Sequence, residues 1–510
     1  VQEVIVFAAV PAAALLGATG QPVTIEVHVA KGLPVFQIVG LPDETCREAR
    51  DRVRAALMSI DGGWPGTRIT VNLSPPGYRK TGSGLDLAMA VAILVASEQI
   101  PAAAVEGLAF VGELGLDGSV RPVPGVAPMV GVLGELDVVV PAGSVVEARV
   151  AALGRVRPVT TLRELVDVLL ERAPWPDPPE PVTDLLAAEI PDLADVHGQP
   201  VARLALEVAA AGGHHILFVG PPGSGKTMLA RRLPGLLPDL GRARALEVTM
   251  VHSAAGVPLP PGGLVVRPPF RSPHHTSSRA ALVGGGSHAM RPGEISIAHG
   301  GVLFLDELGE FPRDVLEALR EPLEEGRIHL ARANAHVELP ARFLLVAATN
   351  PCPCGGGPPG SCDCDLVRRE RYLQRLSGPL LDRFDLRVPV QRPAVGQLLD
   401  GTPGESTAVV AARVAAARRR AMERCGLLNA ALDGPLLDDT APLTPAAREL
   451  LRTELERGRL SGRGYHRIRR VARTLVDLDD GAEHVGDEAV HLALGLRVEV
   501  RPRHHDGRVA

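Results

Sequence analysis

Residues 220–227 read Gly-Pro-Pro-Gly-Ser-Gly-Lys-Thr, which fits the phosphate-cradling pattern G-x-x-x-x-G-K-[ST]. Glycines at this spacing let backbone N–H groups close around a polyphosphate, and a helix starting there adds partial positive charge. Gly220, Pro221, Pro222, Gly223, Ser224 and Gly225 would form the cradle. Lys226 would reach the β- and γ-phosphates of ATP, and the Thr227 hydroxyl would ligate Mg²⁺. The context agrees: the apolar run 215–219 predicts a buried strand before the loop, and 228–233 predicts a helix after it. About 80 residues on, Val-Leu-Phe-Leu-Asp-Glu (302–307) predicts a second buried strand ending in two carboxylates. Ligands of parallel sheets sit beyond the C-terminal strand ends. Asp306 would therefore help hold the metal, and Glu307 would polarise the attacking water. A third apolar run, 343–349, ends at Asn350, whose amide could orient the same water.

In this order Asn350 resembles the sensor-1 position of AAA+ ATPases. Gly-Glu-Ile-Ser-Ile-Ala-His-Gly-Gly-Val-Leu-Phe-Leu-Asp-Glu-Leu (293–308) resembles the second-motif region of magnesium chelatase-type AAA+ proteins. Three further stretches narrow the match: Pro-Phe-Arg-Ser-Pro-His-His (269–275), Asn-Pro-Cys-Pro-Cys-Gly (350–355) and Leu-Ser-Gly-Pro-Leu-Leu-Asp-Arg-Phe-Asp-Leu (376–386). Together they resemble the bacterial YifB/ComM family, over nearly the whole chain. That resemblance implies a ring-forming ATPase, a homo-oligomer of hexamer type, acting as a DNA motor in recombination or natural transformation. Its DNA would be single-stranded or branched.

The same resemblance implies roles for two arginines. Arg383 would be an arginine finger reaching the neighbouring subunit's γ-phosphate; the plainer alternative is a surface ion pair with Asp382 or Asp385. Arg463, in Leu-Ser-Gly-Arg-Gly-Tyr (460–465), would be sensor 2, touching the γ-phosphate from within its own subunit, with Arg467 as the runner-up. Two insertions, 281–294 and a hairpin over about 327–339, would face a central channel. The first looks too glycine-rich for a core element. The hairpin tip carries Arg332, Asn334 and His336, and Arg332 would contact DNA phosphate unless the tip is merely solvated. Asp192 to Gln199 resembles the segment lining the adenine pocket.

Composition limits the alternatives. A chain of 510 residues should hold two to four domains. The net charge of −5 gives no global basic field, so nucleic acid must be met by a local surface such as a ring channel. Aromatic residues are only 3%, too few for base-stacking platforms, which leaves phosphate contact as the better-suited mode. No run is long enough to span a membrane. The apolar stretch 4–18 lacks a basic leader and is interrupted by Pro11, so a strand and turn is expected there rather than a signal peptide. A cytoplasmic protein is the expectation.

The fold class expected is α/β. Residues 1–171 alternate strand and helix, and the stretches 32–42 and 111–122 resemble the Lon-protease-like (S5 domain 2-like) domain that opens YifB/ComM proteins. A Lon-type peptidase needs a Ser activated by a Lys about 40 residues later. Ser83 sits near the Ser region, but the Lys position falls near Ala127, and no Lys occurs from 81 to 200. A non-proteolytic scaffold is expected. A Pro-rich linker (172–189), an AAA+ core with a parallel sheet (190–395), a helical lid (396–500) and a fraying tail (501–510) follow.

Four of the six cysteines, Cys352, Cys354, Cys362 and Cys364, form two C-x-C pairs on a glycine loop. They could hold a zinc ion in a Cys₄ site, with reduced thiols as the alternative. His274 and His275, on a Pro-flanked loop, read as structural or interface groups. Arg368, Arg369, Arg371 and Arg375 suggest a local basic helix and the run 418–420 another, with plain solvated faces as the commoner alternative. Three rival functions remain at this point. A chelatase motor subunit is disfavoured by the long N-terminal region and the cysteine loop, and a protease by the missing Lys. A protein-remodelling ATPase, with protein partners unspecified, is not excluded by any motif.

Overall fold

The computed structural model describes residues 6–60, 63–76, 80, 82–179, 190–285, 290–332, 335–355, 364–393, 396 and 403–499. The tail 501–510, part of the linker, Cys362 and Asn334 lie outside them, as does the Arg332 side chain.

The three apolar runs flanking the motifs become neighbouring strands. Five parallel strands lie in the order Phe270–Arg271, Val302–Leu305, Leu344–Thr349, Ile216–Val219, Leu386–Pro389. Side chains alternate between faces, and both faces are covered. Phe218, Phe304 and Val346 enter a core shared with the C-terminal helices. Leu217, Leu303, Leu305 and Leu345 enter a second core on the other side. Two-sided burial is why these strands read as unbroken apolar runs. Each buried large side chain contributes roughly 1.5–3 kcal/mol. Gly220, Asp306 and Asn350 each follow a strand's C-terminal end, so sheet order alone brings the three motifs to one edge.

Toward the N-terminus a four-stranded sheet runs in the order Val6–Leu16, Thr19–Ala30, Arg68–Ser74, Val35–Val39. It covers the helix Asp86–Ala96, every residue of which is buried. Burial pushes the Asp86 carboxyl up to about 6, against the opposing pull of Arg52, whose Nε donates to it at 2.7 Å. A three-stranded parallel sheet (Leu108–Phe110, Asp137–Pro141, Val156–Val159) completes the region.

This region rests directly on the elements around the five-stranded sheet. Gly125 N–H donates to Ser253 O at 2.9 Å, and Ser253 Oγ bonds the Glu147 carboxylate. Ala127, where a Lon-type base would stand, donates its N–H to both Glu147 and Ser253. The turn at Gly17 (φ +65°) lies on the hairpin 327–340, so closely that a Cβ there would meet Val337 Cγ1 at 2.2 Å.

C-terminal helices Thr407–Cys425, Pro445–Glu456, Gly462–Leu478 and Asp487–Gly495 form the lid. A buried network ties it to the sheet. His214, just before the Ile216–Val219 strand, bonds Asp385 Oδ2 at 3.0 Å and Thr474 Oγ1 at 2.8 Å. Asn429 links Thr474 to Asp477, which also receives Arg424 and Arg473. His215 Nδ1 accepts the Leu345 N–H at 3.0 Å, and burial pulls that imidazole down to about 4, so it remains the neutral acceptor this bond requires.

Two expectations about local segments change. Arg418 is not a fully solvated residue: it is half-buried, donates to Ala210 O at 2.8 Å, and is pulled by burial to about 10. Ala210 lies in the last turn of the helix Pro200–Gly212, where carbonyls without helical partners and the negative dipole end favour a cation. The insertion 281–294 is not wholly excluded from the core either. Leu282 and Pro292 are buried, and Gly284–Gly285 pairs with Arg291–Pro292. A Cβ on Gly284 would lie 2.5 Å from Arg291 O, so this glycine permits close backbone approach rather than looseness.

Candidate active site

The loop after the Ile216–Val219 strand is shaped by its glycines. Gly223 (φ +74°) and Gly225 (φ +93°) are left-handed, a conformation glycine adopts without the cost a Cβ imposes. A Cβ on Gly220 would lie 2.0 Å from Val390 O. Lys226 is buried, and its Nζ donates to Gly220 O (2.7 Å), Pro221 O (2.9 Å) and Asn350 Oδ1 (3.2 Å). Burial lowers its affinity for the proton, while Asp306 and Glu307 oppose that loss. Thr227 Oγ1 donates to Asp306 Oδ2 at 2.6 Å. A hydroxyl and a carboxylate side by side are the hard oxygen donors that Mg²⁺ takes. Ser224 Oγ is buried without a partner among the described residues, as expected of a group facing an anionic ligand. The donor set thus fits a Mg²⁺–nucleotide. Pro222 to Met228, Asp306, Glu307 and Ala348 to Asn350 line one pocket.

Glu307 is exposed at the pocket rim with φ +51°, a left-handed backbone that costs a non-glycine residue on the order of 1 kcal/mol or more. His275 Nδ1 lies 3.3 Å from its Oε2. Sequence reading missed this pair and took His275 as a structural or interface group. The loops after Phe270–Arg271 and Val302–Leu305 meet because those strands are neighbours, which linear spacing does not reveal. Behind Asn350, Thr349 Oγ1 lies 3.3 Å from the Tyr372 hydroxyl.

The arginines fall elsewhere. Arg383 pairs with Glu324, not with Asp382 or Asp385. Burial and the neighbouring charges of Arg467, Arg463 and Arg320 depress its pKa. Arg467 Nε lies 3.2 Å from Asp385 Oδ1, and burial alone would raise that carboxyl, but His214, His215 and Arg467 hold it below its ordinary value. Asp385 and His214 precede their strands, whereas the phosphate loop leaves the opposite strand end, about 3.3 Å per residue away along the sheet. Arg463 is not among the residues lining the phosphate pocket of its own chain, and its charge bears on Arg383.

Cys352, Cys354 and Cys364 bring their Sγ atoms within 4.8 Å of one another. The hairpin pairs Arg327–Arg332 with Ala335–Pro340. Its Ile328, Val337 and Leu339 are buried, while Arg327, His329 and His336 are exposed.

Family models cover most of the chain: magnesium chelatase, subunit ChlI, over 192–398; subunit ChlI of Mg-chelatase over 25–144; and the ChlI C-terminal region over 404–497. An uncharacterized protein of Mycobacterium tuberculosis is 48% identical over 95% of this chain and 97% of its own length. YifB of Escherichia coli is 44% identical over 91% and 92%. Competence protein ComM of Haemophilus influenzae is 42% identical over 96% and 97%. With the sheet order, the phosphate loop and the helical lid, these similarities place the chain in the YifB/ComM family of magnesium chelatase-like AAA+ ATPases.

Proposed function

We propose that this chain assembles into a homo-oligomeric ring, a hexamer by resemblance, that hydrolyses ATP and drives movement on single-stranded or branched DNA. The observation that carries the ring is the division of charged groups between two ends of the sheet. Lys226, Thr227, Asp306, Glu307 and Asn350 gather at one end. Arg383, Arg463, Arg467 and Arg320 gather at the other, where Arg320 Nε and Arg467 Nη1 are buried without partners among the described residues. Crowded cations with unmet donors suit an anion, and the phosphates of a neighbouring copy are that anion.

In this reading Lys226 binds the β- and γ-phosphates, while Thr227 and Asp306 hold Mg²⁺, which neutralises developing charge. Glu307 accepts the proton of the attacking water, and Asn350 orients that water. Arg383 of the adjacent copy exchanges Glu324 for the γ-phosphate, with Arg463 beside it. The absence of any Lys between 81 and 200 supports a scaffold without peptidase activity. DNA as the target is supported by the similarity to a competence protein and by the exposed Arg327, His329 and His336 on the hairpin, which would carry Arg332 toward phosphate.

Glu307→Gln tests both halves. Losing a general base lowers kcat by about a hundredfold or more, while ATP binding persists and traps the protein on DNA. Fluorescence anisotropy should show ATP-dependent binding of single-stranded and branched DNA that weakens with salt. Hydrolysis near the wild-type rate would remove Glu307 from the mechanism. An ATP-bound variant with no affinity for either DNA would turn attention to a protein target or chelatase-type partners.

A further inference from the structure

The cysteine loop is not absorbed by nucleotide chemistry, yet it abuts the phosphate loop. Cys352 and Cys354 follow Asn350 at the tip of the Leu344–Thr349 strand, and their Sγ atoms lie 3.3 Å apart. Cys364 stands just before Asp365, which caps the helix Leu366–Gln374 by accepting the Arg368 N–H. The three sulfurs lie within 4.8 Å of one another. Sulfurs around a tetrahedral Zn²⁺, with bonds of about 2.3 Å, stand roughly 3.8 Å apart, inside that spread. Soft thiolates crowded at this distance suit Zn²⁺ rather than the oxygen-seeking Mg²⁺.

The turn carrying the first two thiols closes through Gly355 N–H to Cys352 O at 3.0 Å. Gly355 (φ +76°) presses on the phosphate loop: a Cβ there would lie 2.5 Å from Pro222 Cδ. From the other side, the helix after Cys364 reaches the same site, with Tyr372 at Thr349 and Arg375 Nη1 donating to Gly309 O at 3.1 Å.

We propose that Cys352, Cys354 and Cys364 bind a zinc ion as thiolates, each releasing its proton to solvent, and that the metal clamps the strand tip to this helix so that Gly355 braces Pro222. The clamp deepens the phosphate-loop reading and rests on it. Three described thiols define the site; Cys362 lies outside the described residues.

The test uses the full chain: zinc content by elemental analysis, Co²⁺ substitution followed by its thiolate absorption, and affinity for a fluorescent ADP analogue. About one zinc per chain is expected, lost in Cys354→Ser and Cys364→Ser and kept in Cys425→Ser. Loss of metal should weaken ADP-analogue binding about fivefold, the lower range of coupling between linked sites. Stripping wild-type protein with a mercurial, regenerating its thiols and returning zinc should restore the affinity, which separates the clamp from a folding defect. Wild-type protein that binds the analogue but holds no zinc, or Cys354→Ser and Cys364→Ser variants that keep it, would overturn the metal site and leave the ATPase reading standing. Zinc loss without change in affinity would overturn the clamp. Zinc-loaded wild-type protein that binds no nucleotide would overturn the phosphate-loop reading and the clamp with it.

Discussion

Lys226→Ala lowers kcat/KM for ATP by at least about a hundredfold, the scale of removing one preorganised charge from a phosphoryl-transfer site. The ammonium is held by Gly220 O, Pro221 O and Asn350 Oδ1, so the loop already presents its cation before phosphate arrives. Little reorganisation is then needed on binding, and the charge acts fully on the β- and γ-phosphates. Truncation removes the cation and leaves three acceptors facing the site where phosphate must sit. Steady-state hydrolysis together with fluorescent-nucleotide binding checks this. Both should fail, whereas a residue acting only on the chemical step would spare binding. Activity within threefold of wild type, a margin of well under one tenfold step in rate, would mean that ATP is bound elsewhere.

Arg383→Ala should be at least as damaging to turnover, by about a thousandfold, but through a different route. It leaves the chain's own phosphate pocket intact, so nucleotide binding should survive. The decisive form of the experiment is a mixture. A Lys226→Ala subunit still offers Arg383, and an Arg383→Ala subunit still offers a complete phosphate loop. Mixed rings should therefore recover part of the activity that neither variant has alone. Recovery would be the mark of a site built across two copies. An Arg383→Ala protein that hydrolyses ATP normally would assign that residue to its Glu324 ion pair and nothing more.

How legible this arrangement was in the sequence depended on distance along the chain. The phosphate loop, Asp306, Glu307 and Asn350 were readable because each motif is short and sits at the end of its own apolar strand. Parallel pairing then carries all of them to one edge. The lid helices were readable from their apolar spacing, but not where they dock. That is decided by His214, Asp385 and Thr474, separated by hundreds of residues. The docking of Arg418 was not legible because a run of three arginines looks like a basic or solvated face, while its partner is a main-chain carbonyl that no side-chain pattern announces. His275 escaped for a related reason: its pairing with Glu307 follows from strand order alone. Gly284 looked like slack and instead serves a backbone-to-backbone fit.

The measurement closest to the central claim is steady-state ATP hydrolysis with and without single-stranded and branched DNA, with Lys226→Ala as the blank. A DNA motor predicts severalfold stimulation that fades as salt rises, because phosphate contact in the channel is electrostatic. A wild-type rate indifferent to both DNAs at low salt would contradict it.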